Sequence, residues 1–565
     1  MLVFHLLLYL LLYFSVVLVI CITGHLLMGA LLLVAAAAYG PVFSVLLDLY
    51  ERAFYYTRSE SSYCLVKVLK ELISPVALAY TFVKKYAEGN YGGMLIAVLL
   101  VTAVLGGLGY CAFVHRKSER TGMAFVFPWA GTAVKFLVVV SGGLGIGFVF
   151  YMLSNDSSRT IWWIFGLILG TILSGGIMEI IYYRDFRKFF SHKLQFAVNG
   201  ACVALVACVF FFDLAGYDEY IPSYDKIENI AIGSADNSWE IAYNVKVNED
   251  GTVTMLDSGD SVGNDLGVDQ NIYEIMKKLA KESKAAYKEI LQDSHSMWSS
   301  NLWDPSGNTL GIKVRYDLKS GSVVYRKYMV GLDDIKNLWK EGMTEGTLKS
   351  EYYSILELDD KYVDEVKCDF ITGQSISLFQ DNKAKKQLLV DALRQDIKEA
   401  DSEVLTGEPC AGLSIGYSGV PFVESVNAMG TGQTGNYYFS PCFYVFPQFK
   451  RTIEILKETG YPISMDDVDL SSVEVQYYMD EYHNEVSSPI VYDQPEQLKE
   501  LKKVLRCYQL VPFWEKREEE SWDSLKVVIG GVESEASWAI LEKDVPEFMK
   551  EDSQRALSFE VLEEE

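Results

Sequence analysis

Two short segments concentrate the charged side chains of an otherwise apolar amino-terminal region. The first follows an apolar run and reads "HRKSERTG" from His115 to Gly122, and the second reads "RDFRKFFSHK" from Arg184 to Lys193. Basic side chains in such places hold a loop on the cytoplasmic side of a membrane or form ion pairs with a partner protein. The chemistry predicted for both segments is electrostatic contact and not bond making.

Motifs that would carry catalysis or bind a cofactor are missing from the sequence. The stretch nearest to a phosphate-binding loop, Gly430 to Gly435, is followed by Asn436 and Tyr437 where that loop needs a lysine. The six His show no zinc-binding spacing, the nine Cys include no C-x-x-C, and no G-x-S-x-G elbow occurs. We therefore expect no enzyme activity, no cofactor and no metal site.

The charge distribution divides the 565 residues into two parts. Residues 1–216 hold 15 Lys and Arg against 10 Asp and Glu, and residues 217–565 hold 35 against 65. An apolar, slightly basic part followed by a polar, acidic part predicts a transmembrane domain over 1–216 and an acidic extracytoplasmic domain over 217–565. The acidic charge excludes nucleic acid as a partner, because its phosphates would be repelled.

Six segments of the first part are apolar over about 20 residues, the length at which a helix spans the ~30 Å hydrocarbon core of a bilayer. They are Leu2 to Ile22, His25 to Tyr50, Met94 to Val114, Thr132 to Met152, Ile161 to Tyr183, and Leu194 to Leu214. The predicted fold class is therefore an α-helical polytopic membrane domain in contact with membrane lipids.

Basic loops predict the orientation of these spans. The positive-inside rule assigns both basic segments to the cytoplasm, which puts the acidic domain outside the cell membrane. Alternation then puts the segment from Glu51 to Gly93 outside as well, although it contains six Lys and Arg. Its stretch "VKVLKELISPVALAYTF" has the pattern of an amphipathic interfacial helix.

The spans also contain ionisable and small residues. Glu179 is an ionisable residue inside a span, and we expect it to pair with a basic residue such as Arg184 near the cytoplasmic end. Lys135 is expected to extend its ammonium group to the headgroups. Small residues spaced four apart allow close contact between helices, either within one bundle or across a dimer interface that lines a substrate path. The glycines concerned are Gly143, Gly147, Gly166 and Gly170.

Residues 217–565 alternate between strand-like and helix-like stretches, which predicts an α+β domain. Hairpins are predicted at Asp250-Gly251 and at Ser320-Gly321. Asp381 and Asp493 occupy positions where helix N-caps are expected. Amphipathic helices are predicted over Asn271 to Ile290, Asp381 to Ala400, Phe446 to Gly460, and Gln494 to Cys507.

Two further features of the acidic domain leave alternatives open. A strand pair, an Asp-containing turn and a helix recur in "FITGQSISLFQDNKAKKQLLVDAL" and "VQYYMDEYHNEVSSPIVYDQPEQLKELKKVL", which suggests tandem modules. Four of the cysteines lie in this domain and are compatible with one or two disulfides or with none.

The first basic segment also carries a family resemblance. "YCAFVHRKSERTGMAFVFP" resembles the end of a span and the basic loop of ABC-2-like transporter permeases from Gram-positive bacteria, which have a large extracellular domain of unknown function after the last span. Further matching stretches follow in order along the chain: "ISPV", "MEIIYYRDFRKFF", "FDLAGYDEYIPSYDKIENI" and "YVFPQFKRTIEILKETGY". Members of that group have additional spans ahead of the region corresponding to Leu2, so we expect an amino-terminally shortened chain.

This resemblance implies a permease subunit that pairs with a separate ATPase subunit, with export as the expected direction. A homodimer or a second permease would complete the membrane part. The alternative is a membrane-anchored binding or sensing module without transport. The loop residues assigned to ATPase docking by the resemblance are Arg116, Lys117, Ser118, Glu119, Gly122, Arg184, Asp185 and Arg187.

Overall fold

The structure is a computed structural model in which the chain forms two compact units. One unit comprises Met1–Tyr220 with Gln292–Met297, and the other comprises Ile221–Leu291 with Trp298–Glu565. The described residues are 2–59, 74–87, 92–116, 123–155, 158–183, 185–189, 192–234, 245–248, 251–255, 264–293, 309–345, 347–424, 434–476, 488–515 and 524–558.

Six helices in the described part of the first unit are long and apolar enough to cross a membrane, with mean hydropathies of 2.0 to 2.6. They are α1 (Leu2–Ile22), α2 (Leu26–Phe54), α4 (Gly92–Val114), α5 (Pro128–Leu153), α6 (Arg159–Tyr183) and α7 (Lys193–Phe211). The six predicted apolar helices are confirmed, and their ends shift by a few residues. The chain is a multi-pass membrane protein.

A shorter helix, α3 (Pro75–Ala87), lies in the segment for which an interfacial helix is predicted. The first half of that prediction, up to residue 73, lies outside the described residues. Leu78 and Phe82 of α3 are buried against Leu11 of α1 and Val98 of α4. A second apolar cluster joins α2, α5, α6 and α7.

The second unit is a mixed α/β region with several sheets. Its strands are β1 (Ile227–Ser234), β2 (Val245–Val247), β3 (Val253–Met255), β4 (Asn264–Asp265), β5 (Thr309–Leu318), β6 (Val323–Gly331), β7 (Val363–Phe370), β8 (Ser375–Ser377), β9 (Ala411–Glu424), β10 (Thr434–Phe439), β11 (Cys442–Val445), β12 (Leu470–Gln476), β13 (Ile490–Tyr492), β14 (Leu505–Cys507), β15 (Ser524–Ile529), β16 (Val532–Glu533) and β17 (Trp538–Ile540). Its helices are α8 (Gln270–Asp293), α9 (Leu332–Glu345), α10 (Thr347–Tyr352), α11 (Lys383–Glu399), α12 (Ser402–Leu405), α13 (Lys450–Lys457), α14 (Pro495–Val504) and α15 (Glu547–Ser558).

Strand order separates three larger sheets and a short pair among the described residues. The orders are β4-β1-β5-β6, then β2-β3-β9-β7-β8 with β10 and β11 also on β9, then β13-β12-β15-β16, and β14-β17. The first two sheets share one apolar core, and the third has a smaller core of its own.

Both predicted hairpins are confirmed. β2 and β3 pair antiparallel around Gly251, and β5 and β6 pair antiparallel around Gly321. The two glycines have φ angles of 78° and 77°, a left-handed conformation that glycine adopts without steric cost. The glycine-rich stretch after Gly430 falls outside the described residues as far as 433, and β10 begins at Thr434.

The predicted N-caps are wrong by one residue. Asn382 caps α11, where its side chain accepts a hydrogen bond from the Lys385 N–H at 3.0 Å. Asparagine caps as well as aspartate does. Gln494 precedes α14, whose start is fixed by Pro495 at the first helical position.

The predicted helix from Phe446 to Gly460 is also too long. The helix α13 covers only Lys450–Lys457. Pro447 disfavours helical geometry at the residue before it, and Gly460 has a φ angle of 80° that ends the helical segment.

Two features that the sequence left open, the repeated stretches and the cysteines, lie in the second unit as follows. An antiparallel strand pair precedes a helix in both repeated stretches, as β7–β8 before α11 and as β12–β13 before α14. The eight cysteines within the described ranges are free thiols, including Cys368, Cys410, Cys442 and Cys507 of the second unit.

Candidate functional site

A charged pair is buried inside the helix bundle of the first unit. Lys135 of α5 and Glu179 of α6 are each 1% exposed, and the lysine ammonium group donates a hydrogen bond to the glutamate carboxylate. Moving a charge from water into a membrane bundle costs roughly several kcal/mol per ion. Pairing with an opposite charge offsets this cost. The helices are therefore held in a register that keeps these two side chains together.

Two residues around the start of α7 contact this pair, the half-exposed His192 and the partly buried Gln195. We call the four residues Lys135, Glu179, His192 and Gln195 the buried charge cluster after its central pair. His192 Nδ1 lies 3.0 Å from Glu179 Oε1, and Lys135 Nζ donates to Gln195 Oε1 at 3.1 Å. The ammonium group also lies 4.9 Å from the ring centre of Phe196. The cluster links α5, α6 and the segment that leads into α7.

The cluster corrects two sequence predictions. Lys135 does not extend to the headgroups, because a buried carboxylate on the neighbouring helix holds its ammonium group. Glu179 takes Lys135 as its cationic partner and also contacts the His192 ring, and Arg184 lies outside the described residues. Spacing along the chain could not find Lys135, because it is 44 residues from Glu179.

Buried amide groups extend this polar surface along α7. Gln195 and Asn199 are one helical turn apart and so lie on the same face of the helix. The side-chain nitrogens of both are buried and have no hydrogen-bond partner among the described residues. An unsatisfied buried donor costs about 1–3 kcal/mol, so these groups favour a polar ligand or water in the bundle.

The turn between α1 and α2 pairs with the segment that precedes α5. The Val126 N–H donates to the Ile22 carbonyl at 2.9 Å, and the Gly24 N–H donates to the Ala124 carbonyl at 3.4 Å. Phe125, between them, packs its ring against Tyr182 of α6 with the centroids 5.2 Å apart. This short β-bridge and the Phe125 ring therefore connect the turn after α1 and the residues just before α5 to the helix that carries Glu179.

These contacts all lie at one end of the helix bundle. We call it the basic end: α1, α4 and α6 finish there, and α2, α5 and α7 begin there. The described residues of the two basic segments identified in the sequence lie at this end. Tyr182 and Glu179 are on the same helix, so the contacts of Phe125 and of His192 meet on α6.

The predicted docking residues have different structural settings. The Arg116 guanidinium donates to the Ile20 and Thr23 carbonyls, each at 3.3 Å, and so caps the carboxyl end of α1. Asp185 accepts a hydrogen bond from the Arg187 N–H at 2.9 Å and begins a short 3-10 turn, on which the Arg187 side chain is exposed. The remaining residues, Lys117, Ser118, Glu119, Gly122 and Arg184, lie outside the described residues.

The four small residues of the predicted packing motif lie between α5 and α6. A Cβ atom on Gly166 would lie 2.8 Å from Phe150 Cβ, and one on Gly170 would lie 2.9 Å from the Gly142 carbonyl oxygen. On the facing helix, a Cβ on Gly143 would lie 2.8 Å from Thr171 Oγ1, and one on Gly147 would meet Leu167. The glycines thus let the two helix backbones approach and bring Lys135 within reach of Glu179.

A second polar cluster, which sequence reasoning missed, lies at the opposite end of the bundle. The buried Arg58 guanidinium pairs with Asp48 and Glu51 from the end of α2. The Asp218 carboxylate, after α7, accepts hydrogen bonds from the Thr57 N–H and hydroxyl group at 3.1 and 3.2 Å. Acidic residues three apart in the last turn of an apolar helix are a signal that could have indicated a cationic partner.

Comparisons with known proteins reach only the second unit. A family described as "Domain of unknown function (DUF6449)" matches residues 316–460, from β5 to just beyond α13. No curated protein and no solved structure matches the chain.

Proposed function

We propose that this chain is the permease subunit of an ABC-type transporter, energised by a separate ATPase subunit and working in export. The observation that carries the proposal is the buried charge cluster of Lys135, Glu179, His192 and Gln195, which includes His192 of the second basic segment. Ionisable residues inside a membrane bundle are costly and mark transport paths and moving elements. The resemblance of the first basic segment to permease loops supports the same function.

The proposed mechanism couples the basic end to the interior of the bundle. ATP binding by the partner would shift the two basic segments, and the bundle would change between two states. Phe125 would pass the movement of the first segment to Tyr182, and His192 would pass that of the second to Glu179. The change on α6 would alter the pairing of Glu179 with Lys135, next to the unsatisfied amides of α7.

The proposal includes a topology and an assembly. The basic end faces the cytoplasm and the second unit lies outside the cell membrane, as the positive-inside rule predicts. The second unit would consist of tandem α+β modules, which its two separate apolar cores support. A second copy or a second permease would complete the path.

ATPase docking is tested by removing three charges of the two basic segments other than Arg116. Lys117, Glu119 and Arg187 are replaced together by Ala, and Arg116 is kept because its side chain holds the end of α1. We expect the variant to lose co-purification with an ATPase encoded beside its gene and to lose stimulation of ATP hydrolysis. Arg52→Ala, which removes a half-exposed cation at the opposite end of the bundle, serves as the control. Unchanged association and stimulation in the triple variant would refute the docking role.

A second candidate is a membrane-anchored binding or sensing module. The second unit is compact and has its own apolar cores, which favours this candidate. The test attaches residues 221–565 to an unrelated membrane anchor and measures the cellular phenotype of the full chain. Full activity of the transplanted unit would support a sensing module, and complete loss would support the permease.

A further inference from the structure

A cleft lies between the end of α1 and the beginning of α2, apart from the buried charge cluster. Its volume is about 390 Å³, within the range of roughly 300–1,000 Å³ found for small-molecule sites. Val16 and Ile20 of α1 and Leu33 of α2 provide an apolar wall, and His25 and Arg116 lie at its polar end. The cleft is thus apolar along one side and cationic at the basic end of the bundle.

Charge favours an anion at the polar end. Arg116 is the formally charged residue among the described residues that line the cleft, and these include no carboxylate. Two guanidinium hydrogens are held by the carbonyls of Ile20 and Thr23, which fixes the group in place. A guanidinium has five N–H donors in a planar fork, so further donors are available for the paired oxygens of a phosphate.

His25 offers a second donor at the same end. Its Nδ1 accepts a hydrogen bond from the Leu27 N–H at 3.2 Å, as the N-cap of α2. The ring hydrogen of the neutral imidazole is therefore on Nε2, which can donate to an anion. Arg116 and His25 together provide donors of the kind that bind a phosphodiester.

The shape of the cleft identifies the class of ligand. Free phosphate would use the polar end and leave the apolar wall in contact with water or lipid. An amphipathic anion would use both, with its acyl chain along Val16, Ile20 and Leu33 and its phosphate on Arg116. Basic pockets between membrane helices on the cytoplasmic side bind anionic lipid headgroups, and both basic segments lie at this end.

We propose that the cleft between α1 and α2 is a binding site for one anionic phospholipid, whose phosphate is held by Arg116 and His25. This inference uses the proposed orientation of the basic end but does not depend on the proposed transport activity. It gives Arg116 a role in lipid binding at a position that the sequence assigned to ATPase docking.

The test is a lipid titration of the detergent-purified full chain, followed by native mass spectrometry. The wild type is titrated with phosphatidylglycerol, with phosphatidylcholine and with inorganic phosphate. We expect one phosphatidylglycerol to bind at least about tenfold more tightly than phosphatidylcholine, because the choline cation beside the phosphate of phosphatidylcholine is repelled by Arg116 and cancels the net negative charge of that lipid. Stabilisation by inorganic phosphate equal to that by phosphatidylglycerol would overturn the lipid site.

Variants separate the two ends of the cleft. Arg116→Gln is expected to lower phosphatidylglycerol affinity about tenfold, Arg116→Lys to lower it less, and Ala30→Phe to obstruct the acyl chain without changing charge. Lys193→Gln removes an exposed cation at the same end of the bundle and should leave binding unchanged. Wild-type affinity in both Arg116→Gln and Ala30→Phe would overturn the proposal. So would a lipid-free dimer that Ala30→Phe dissociates, because a second copy would then occupy the cleft.

Discussion

At the residue scale, the pairing of Lys135 with Glu179 explains how two charges persist inside an apolar bundle. Each ion compensates the other, and Gln195 and His192 supply further hydrogen bonds. Such a pair contributes little net stability relative to apolar side chains, yet removal of one partner leaves an uncompensated buried charge. The pair therefore acts more strongly on the register of α5 and α6 than on the overall free energy of unfolding.

Single and double substitutions of this pair should differ. We expect Lys135→Met to destabilise the first unit by about 3–5 kcal/mol, because Glu179 keeps its charge without the ammonium group. Replacement of both residues by Met should recover most of that loss. Thermal unfolding in detergent measures the double-mutant cycle, with Lys193→Met as the control for an exposed cation at the same end. Equal destabilisation in the single and double variants would contradict the coupling.

In the second unit, the ion pairs of Glu515 test whether a partly buried carboxylate contributes to stability. Burial alone would raise its pKa, but hydrogen bonds from Lys543 at 2.6 Å and Lys336 at 3.0 Å outweigh burial and lower the pKa. A lowered folded-state pKa means that the stabilisation is complete above the unfolded-state pKa of about 4.3 and is lost as the pH falls through the lower folded-state value.

Glu515→Gln should therefore lower the free energy of unfolding near neutral pH by about 1–3 kcal/mol, and the difference from wild type should shrink as the pH falls below about 4. Urea unfolding of the full chain, followed by tryptophan fluorescence, measures the difference at each pH. Glu458→Gln breaks an exposed ion pair with Lys385 and should cost at most ~1 kcal/mol. A difference for Glu515→Gln that is constant with pH would contradict the assignment.

At the element scale, the contact between α5 and α6 is decided by which glycines face the neighbouring helix. Gly166 has the backbone of Gly147 next to it, with a Cα only 3.0 Å from where a Cβ would be. Gly145 belongs to the same helix as Gly147, yet apart from the backbone of its own helix and its chain neighbours no atom of the described residues lies within 4 Å of the position of its Cβ. The helix thus contains both kinds of glycine, and its rotation distinguishes them.

This difference gives a matched pair of variants. Gly166→Ala should destabilise the first unit by about 1–3 kcal/mol, because the added methyl group forces the helices apart. Gly145→Ala should be neutral or stabilising by up to about 1 kcal/mol, since alanine favours the helix. Thermal unfolding of both variants in detergent gives the comparison. Equal effects at the two positions would contradict the packing described for this interface.

At the scale of the whole molecule, the cysteines of the second unit differ in how accessible they are to a thiol reagent in water. Cys442 is exposed in the second unit, whereas Cys368, Cys410 and Cys507 are buried. Burial raises the pKa of Cys410 to about 12 and raises those of Cys368 and Cys507, which disfavours the reactive thiolate. A water-soluble thiol reagent should therefore distinguish Cys442 from its neighbours.

The proposed orientation predicts that a membrane-impermeant maleimide labels Cys442 in intact cells. The experiment uses a Cys64→Ser background, so that the segment between α2 and α3 contributes no signal. Cys111 and Cys208 lie in the long apolar helices α4 and α7. Loss of the signal in Cys442→Ser assigns it to that residue. Labelling only after the membrane is permeabilised would reverse the orientation.

The sequence by itself determined the features that depend on neighbours along the chain. Long apolar runs predict membrane helices because no polar face remains for water, and all six such helices occur in the structure. Gly251 and Gly321 marked hairpins because few other residues adopt their backbone conformation. Caps were less well predicted, since Asp381 and Asn382 are both good capping residues and stand next to each other.

Tertiary structure alone decided which distant side chains meet. Lys135 and Glu179 lie in different spans, and each has a plausible partner in its own vicinity, the headgroups for one and Arg184 for the other. Arg116, in turn, has the sequence context of an exposed loop residue, but its guanidinium is held by the end of α1, almost a hundred residues earlier. Electrostatic pairing in a low-dielectric bundle depends on distance in space, and that distance is set by the packing of the helices on their glycines.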